Sequence, residues 1–144
     1  THAQTARYTK TEAVAGEPLV ADNLTGLEWQ GCPAELSGSN CTTGSSQTKT
    51  WAVALTYCEG LTWAGQAGWR LPDRYELRSI ADYGRVGPSI DTTAFPATPN
   101  NYFWSSSSYA GGTTNAWCVD FSYGYVNGYD KSNTYGVRCV RGGP

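Results

Sequence analysis

The five cysteines of this chain constrain its fold more than any other feature. The sequence has no Cys-x-x-Cys pair and its only histidine is His2, so the spacing of a structural zinc site is missing, and neither a metal nor another cofactor is expected. Cys32 and Cys41 enclose a short segment that contains proline and glycine, which predicts a local disulfide. Because disulfides persist in oxidising compartments, the cysteines also predict a secreted or cell-surface protein.

A second disulfide is predicted between a helix and the end of the chain. Thr50 is a favourable N-cap, and the apolar residues that follow it recur at helical spacing, which places Cys58 on the buried face. In the final strand, predicted over residues 135–141, Val137 and Cys139 share a face, with Arg138 on or near the other. A bond from Cys58 to Cys139 would close a loop of about 80 residues and stabilise the fold by about 4 kcal/mol.

A second helix begins in the motif LPDRYELRSIADYG. Asp73 is the expected N-cap, Glu76 completes a capping box three residues later, and Gly84 is the expected terminator. Arg70 and Glu76 are expected to form a buried or half-buried ion pair, or a network that binds backbone carbonyls, with a structural rather than a catalytic role. After this helix, residues 84–101 predict an ordered loop pinned by Ile90, Phe95 and Pro96.

Short strands are predicted on both sides of these helices. Residues 19–31 predict an early hairpin, and residues 102–110 and 115–122 predict two later strands. In the last of these, alternation predicts one buried face and one displayed face. The buried set is Trp117, Val119 and Phe121, and the displayed set is Cys118, Asp120 and Ser122.

Composition excludes several classes of partner. The chain has 144 residues, which is enough for one domain. Charged residues make up 15% of the chain, and its net charge is −2. It lacks the basic surface that nucleic acid or anionic membranes require, and no apolar run is long enough to insert into a bilayer. No histidine accompanies the serine run 105–108, and no carboxylate pair can be assigned, so we expect no enzymatic activity.

The stretch before the final strand has the composition of a binding surface. Tyrosine offers a large contact area with few rotamers to order, and serine, glycine and asparagine offer adaptable hydrogen bonds. The alternative role for Tyr123, Tyr125, Tyr129 and Tyr135 is packing across a sheet. The predicted ligand-binding residues are Cys118, Asp120, Ser122, Tyr123, Tyr125, Asn127, Tyr129, Asp130, Ser132, Asn133 and Tyr135. The six tryptophans are assigned mainly to the core rather than to a sugar-stacking platform.

Seven motifs in order carry a family resemblance: DNLTGLEWQ, TWAVALTYCEGL, GWRLPDRYELRSIADYGR, SIDTTAFP, YFWSSSSY, AWCVDFSYGYV and YGVRCVRGG. Together they resemble the Lcl C-terminal domain family, also called DUF1566. The resemblance implies an α+β, C-type lectin-like fold of the formylglycine-generating-enzyme subtype, with two helices, short mixed or antiparallel strands and long loops. It covers residues 19–144 as one domain, which leaves 1–18 as an N-terminal extension.

The resemblance implies a secreted or bacterial cell-surface module, often adhesive, with an extracellular protein or glycan as ligand. Self-association into an oligomer or fibre, with Cys118 as an intermolecular bridge, is the structural alternative. A copper-dependent cysteine oxidase is the enzymatic alternative, but that chemistry uses two neighbouring cysteines, and Cys139 is better paired with Cys58. The motifs that hold calcium and sugar in calcium-dependent lectins are absent from the sequence.

Some domains of this kind are also the variable proteins of diversity-generating retroelements, in which asparagine codons are mutated at adenines. Gly124, Val126 and Lys131 are then scaffold positions. Each of the other residues of 122–136 is reachable from an asparagine codon by changes at its adenines, and so is Cys118. The resemblance therefore implies that the C-terminal binding face varies between copies of the gene.

Overall fold

The computed structural model describes residues 7–45, 47–85, 87–99, 101–109 and 111–142, and it has an α+β architecture of helices on small antiparallel sheets. The first sheet contains β1 (Tyr8–Thr11), β2 (Leu19–Asp22), β3 (Leu27–Gln30) and β9 (Val140–Gly142), in that order. The antiparallel β2–β3 pair confirms the predicted early hairpin. Strand β1 lies within the predicted N-terminal extension and forms an edge of this sheet.

The two described helices are α1 (Trp51–Glu59) and α2 (Arg74–Ser79). Ala54 and Cys58 are buried on α1, as the helical spacing predicts, whereas the side chain of the N-cap Thr50 makes no capping hydrogen bond. At α2 the capping box of Asp73 and Glu76 is confirmed in both directions.

Helix α2 is shorter than the sequence predicts. It ends at Ser79 with Ile80 as C-cap, so the prediction that Gly84 ends it is wrong. The physical reason is a tertiary contact, since the backbone N–H of Asp82 donates to the carbonyl of Ser89 at 2.8 Å instead of continuing the helix. The loop that follows is pinned by Ile90 and Phe95, both fully buried, as predicted.

The second sheet contains β6 (Tyr102–Ser108), β7 (Asn115–Asp120) and β8 (Tyr125–Asp130), with β7 in the centre. Cys118 lies opposite Trp104 on β6 and Asn127 on β8, while Val119 lies opposite Phe103. Both faces of this sheet are covered, because Cys118 packs into one core cluster and Val119 into another.

The core divides into two clusters on the two sides of this sheet. The first cluster, around the disulfides, includes Cys32, Cys41, Ala54, Cys58, Trp63, Trp69, Trp104, Ala116, Cys118, Val137 and Cys139. The second includes Val20, Trp29, Leu77, Ile80, Ile90, Phe95, Phe103, Val119, Phe121 and Val140. The small hairpin of β4 (Leu36–Ser37) and β5 (Thr43–Gly44) lies beside the local disulfide.

Both predicted disulfides are formed. Cys32 is bonded to Cys41, with their Cα atoms 5.4 Å apart, and Cys58 is bonded to Cys139 at 5.6 Å. The long bond joins α1 to the segment that precedes β9, so the first helix and the end of the chain are covalently held together.

The end of the chain is less regular than predicted. Of the predicted strand 135–141, only Val140 and Arg141 belong to a strand, β9, and Arg138, predicted on or near the face opposite Val137 and Cys139, is buried with 1% exposure. The Arg138 guanidinium donates to the carbonyl of Gln30 at 2.7 Å and to Thr98 Oγ1 at 2.9 Å, and it lies over the Phe95 ring. Burial removes the guanidinium from water and lowers the pKa of Arg138 to about 9.

Candidate functional site

The turn between β7 and β8 presents the centre of the tyrosine-rich segment, defined here as residues 118–136. Asp120 closes this turn, because its carbonyl accepts from Gly124 N–H at 2.6 Å and its carboxylate accepts from Ser122 N–H at 2.8 Å. Gly124 has φ +86°, a left-handed conformation that costs glycine little. The turn is also fixed from outside, since the Ser122 carbonyl accepts from Gly87 N–H and from the hydroxyl of Ser89, each at 3.0 Å.

Three tyrosine rings are exposed at this turn. Tyr123 and Tyr125 are 58% and 62% exposed, and their rings stack with centroids 6.0 Å apart. Tyr83, from the loop after α2, is 63% exposed, and its ring lies against Gly124, where a β-carbon would come within 2.8 Å of it. We call Tyr83, Tyr123 and Tyr125 the tyrosine tip. Sequence reasoning missed Tyr83, because no local pattern connects it with a turn 40 positions later.

Two other predicted tyrosines are not freely displayed. Tyr129 and Tyr135 pack against Tyr102, with ring centroids 4.7 and 5.1 Å from it, and Tyr135 also contacts Trp104 at 4.9 Å. The hydroxyl groups of Tyr129 and Tyr102 form a 3.1 Å hydrogen bond, which together with burial raises the pKa of Tyr102 to about 12. These two tyrosines cover the first cluster, which matches the alternative role of cross-strand packing.

The remaining predicted residues occupy the edge of the surface. Asn127 is half-buried on β8, on the same side as Tyr129, whereas Asp130, Ser132 and Asn133 are exposed in the next turn. The Asp130 carboxylate accepts from the backbone N–H of Ser132 at 2.8 Å and from its hydroxyl at 2.7 Å, which lowers the pKa of Asp130. The predicted scaffold residue Lys131 is fixed, since its ammonium group donates to the Thr113 carbonyl at 2.8 Å.

The prediction that Cys118 is displayed is wrong. Its side chain is 0% exposed, in contact with the first cluster, and burial raises the pKa of its thiol to about 12. The alternation of β7 failed because a covered sheet buries both faces, and the small apolar side chains of Ala116 and Cys118 occupy the second one. A buried thiol also cannot form the intermolecular bridge of the fibre alternative in this conformation.

The tryptophans follow the core assignment with two departures. Trp29, Trp63, Trp69 and Trp104 are buried, whereas Trp51 and Trp117 are half-exposed. The exposed side of Trp117 faces α2 and lines a cleft with Arg74 and Arg78 of that helix. Sequence reasoning assigned this tryptophan to the core.

The arrangement of ionisable groups limits the chemistry that the residues can perform. In the part of the chain that the structure describes, no three side chains of His, Cys, Asp or Glu lie close enough to hold a metal ion. A copper-dependent cysteine oxidase needs two neighbouring thiols, but Cys58 and Cys139 are bonded to each other and Cys118 is the free one. The predicted ion pair of Arg70 and Glu76 is confirmed as a bidentate contact of 2.7 and 2.8 Å.

Comparison with known proteins identifies the family of this scaffold. The family model of the Lcl C-terminal domain matches residues 18–141. The chain belongs to the Lcl C-terminal domain family. The matched range begins at the start of the β2–β3 hairpin and ends within β9, so the Lcl C-terminal domain includes both helices, the second sheet and the tyrosine tip.

No curated protein matches the chain. In the described ranges, none of the helices combines the length and the apolar character needed to cross a bilayer.

Proposed function

We propose that this Lcl C-terminal domain is a secreted or cell-surface binding module that contacts an extracellular protein or glycan through its tyrosine tip. The supporting observation is the exposure of Tyr83, Tyr123 and Tyr125 on a turn that backbone hydrogen bonds hold in place. Large exposed rings on a fixed support lose little conformational entropy on binding, so their buried area contributes efficiently to affinity.

The scaffold supports such a role because it is cross-linked. The disulfides tie α1 to the end of the chain and close the short loop that contains β4. Two formed disulfides favour an oxidising location, which is the basis for proposing secretion or surface display. We further propose that the fold is the C-type lectin-like fold of the formylglycine-generating-enzyme subtype, in which loops at the end of the chain form the binding surface.

The proposal is tested on arrays of glycans and extracellular matrix proteins with the intact chain as the probe. Replacement of Tyr123 and Tyr125 by alanine should weaken any retained interaction by at least about tenfold, because exposed tyrosines at an interface centre are frequent hot spots. The matched control is Leu24→Ala with Val53→Ala, which removes exposed apolar side chains elsewhere on the surface. Binding that is lost equally in both variants, or in neither, would refute the assignment to the tyrosine tip.

Self-association is the second candidate, since the same exposed rings could pair with another copy of the chain. Light scattering over a concentration series distinguishes the two roles. A dimer that dissociates in the Tyr123→Ala/Tyr125→Ala variant would assign the tip to assembly, whereas a monomer at all concentrations would leave it free for a ligand.

We propose, in addition, that the exposed residues of the tyrosine-rich segment are the variable part of a diversified gene. Tyr123, Tyr125, Ser132 and Asn133 are exposed, so substitutions there cost little folding free energy. Cys118 is removed from the set because its side chain is buried. Sequencing the 3′ end of the gene across a population tests the proposal, and uniform codons at the exposed positions would refute it.

A further inference from the structure

A ladder of alternating aromatic rings and guanidinium groups lies on the α2 side of the second sheet. The Tyr109 ring is 4.8 Å from the Trp117 ring, and the Arg74 Cζ atom lies 4.7 Å over Trp117 and 4.8 Å over Tyr75. Arg78 Cζ also lies over the Tyr75 ring, 5.7 Å from its centroid. We call these five residues the arginine ladder. None of them belongs to the predicted ligand-binding set.

The local fold explains why these side chains meet. Arg74 and Arg78 are four residues apart on α2, so they project from the same side of the helix toward β7 and β8. Gly128 on β8 leaves room for the Tyr109 ring, since a β-carbon there would come within 2.8 Å of it. Between helix and sheet a cleft of about 270 Å³ remains, lined by Arg74, Tyr75, Arg78, Trp117 and Val126.

The two arginines lack a counter-ion among the residues that the structure describes. The ion pairs of the described residues involve other cations, namely Arg7, Lys49, Arg70, Arg85 and Arg141. Among the described residues, the Arg74 guanidinium donates one hydrogen bond, to the Tyr75 hydroxyl at 2.8 Å, and the Arg78 guanidinium donates none. Most of their N–H groups therefore have no acceptor among the described residues, and both side chains line the cleft.

This combination matches one type of ligand group. A guanidinium presents its N–H groups in a planar fork that fits the two oxygens of a carboxylate, and stacking on a ring leaves the edges of the fork available. The exposed sides of Trp117 and Val126 provide an apolar contact beside the charges.

We propose that this cleft binds an acidic peptide segment of a protein partner. A Glu or Asp carboxylate would accept from Arg74 and Arg78, and a neighbouring apolar side chain would lie on Trp117 and Val126. A sulfated polysaccharide fits less well, because such a polymer requires cations along an extended track, and this chain has a net charge of −2.

The test uses a synthetic peptide with blocked termini and the sequence Gly-Glu-Glu-Phe-Glu-Gly, titrated into the intact chain by calorimetry at low salt. The same peptide with glutamine in place of glutamate is the ligand control. We expect binding of the acidic peptide alone, and at least about a tenfold weaker affinity in Arg74→Gln/Arg78→Gln, because each lost contact is charge-assisted. Raising the salt concentration should weaken the wild-type interaction, since the contact is partly exposed.

The protein control is Lys10→Gln/Arg141→Gln, which removes the same amount of charge away from the cleft and should change the affinity less than twofold. Arg78→Gln alone serves as a second variant if the double variant does not fold, because the described contact of its guanidinium is only the Tyr75 ring. The proposal would be overturned if the two double variants weakened binding equally or if the acidic peptide did not bind. It would also be overturned if the cleft bound heparin and not the acidic peptide. Tyr123→Ala/Tyr125→Ala should leave peptide binding unchanged, so this test is independent of the tyrosine tip.

Discussion

The two disulfides allow a direct test of how cross-links stabilise this domain. Both pairs are buried, but their sequence separations are 81 and 9 residues. In the chain-entropy model the cross-link contribution grows as 1.5RT times the logarithm of loop length, so the Cys58–Cys139 bond should stabilise by about 2 kcal/mol more than the Cys32–Cys41 bond. The absolute contributions are about 4.5 and about 2.6 kcal/mol by the same relation.

The perturbation is replacement of each pair by alanine in a Cys118→Ala background. Cys118→Ala removes the free thiol and so prevents disulfide exchange. This substitution alone should lower the free energy of unfolding by about 1 kcal/mol, which measures the loss of one buried sulfur atom without loss of a cross-link. Each pair variant loses two such atoms, so this packing cost cancels in the comparison between the pairs.

The assay is urea unfolding followed by tryptophan fluorescence, with every variant measured against the Cys118→Ala protein. If loss of the long cross-link leaves the chain unfolded in buffer, the same series is run in sucrose, which favours the compact state. Equal losses from the two pairs, or a larger loss from Cys32→Ala/Cys41→Ala, would refute the loop-entropy reasoning and would show that native packing around the bonds dominates.

Two further predictions concern ionisation. Because burial raises the pKa of Cys118 to about 12, its thiol should resist alkylation at pH 8 until the chain unfolds. The unfolded thiol ionises at a lower pH than the buried one, so the free energy of unfolding should decline as the pH rises from about 9 toward 12. Cys118→Ala should lack this pH dependence. Rapid labelling of the native protein would contradict this assignment. Partial burial raises the pKa of Glu76, but hydrogen bonds from Arg70 and from Asp73 N–H outweigh this effect and hold the pKa below its ordinary range. The ionised carboxylate therefore stabilises the fold at neutral pH, and this stabilisation should be lost as the pH falls through the lowered pKa. Glu76→Gln keeps the capping acceptor and should cost less than about 1 kcal/mol, whereas Glu76→Ala removes both contacts and should cost about 1–2 kcal/mol in urea unfolding at pH 7. Equal losses of stability in the two variants would contradict the inference that the capping contact and the ion pair of Glu76 each contribute to stability.

Local patterns predicted the elements that depend on neighbouring residues. The capping box of α2 requires only Asp73 and Glu76, and it formed as the sequence indicates. Both disulfides were also predictable, because one closes a short loop and the other joins the buried face of a regular helix to an apolar position near the end of the chain. The seven motifs predicted the family, and the match of the family model over residues 18–141 confirms it.

The exposure of individual side chains depended on what covers each face of a sheet, and no local pattern contains that information. Alternation along β7 predicted a displayed Cys118, but the sheet is covered on both sides, so Cys118 is buried. In the same way, the tyrosine-rich composition did not separate exposed Tyr123 and Tyr125 from Tyr129 and Tyr135, which cover the first cluster.

The sequence by itself determined the family, the cross-links and the start of each helix, because these rest on short-range chemistry or on motifs in a fixed order. Only the tertiary structure decided which residues share a surface. Folding brought Tyr83 to Gly124 and placed Arg74 of α2 over Trp117 of β7, although each pair is about 40 positions apart in the chain. Residues that distant meet through the packing of a helix and its following loop on a sheet, which no local sequence pattern specifies.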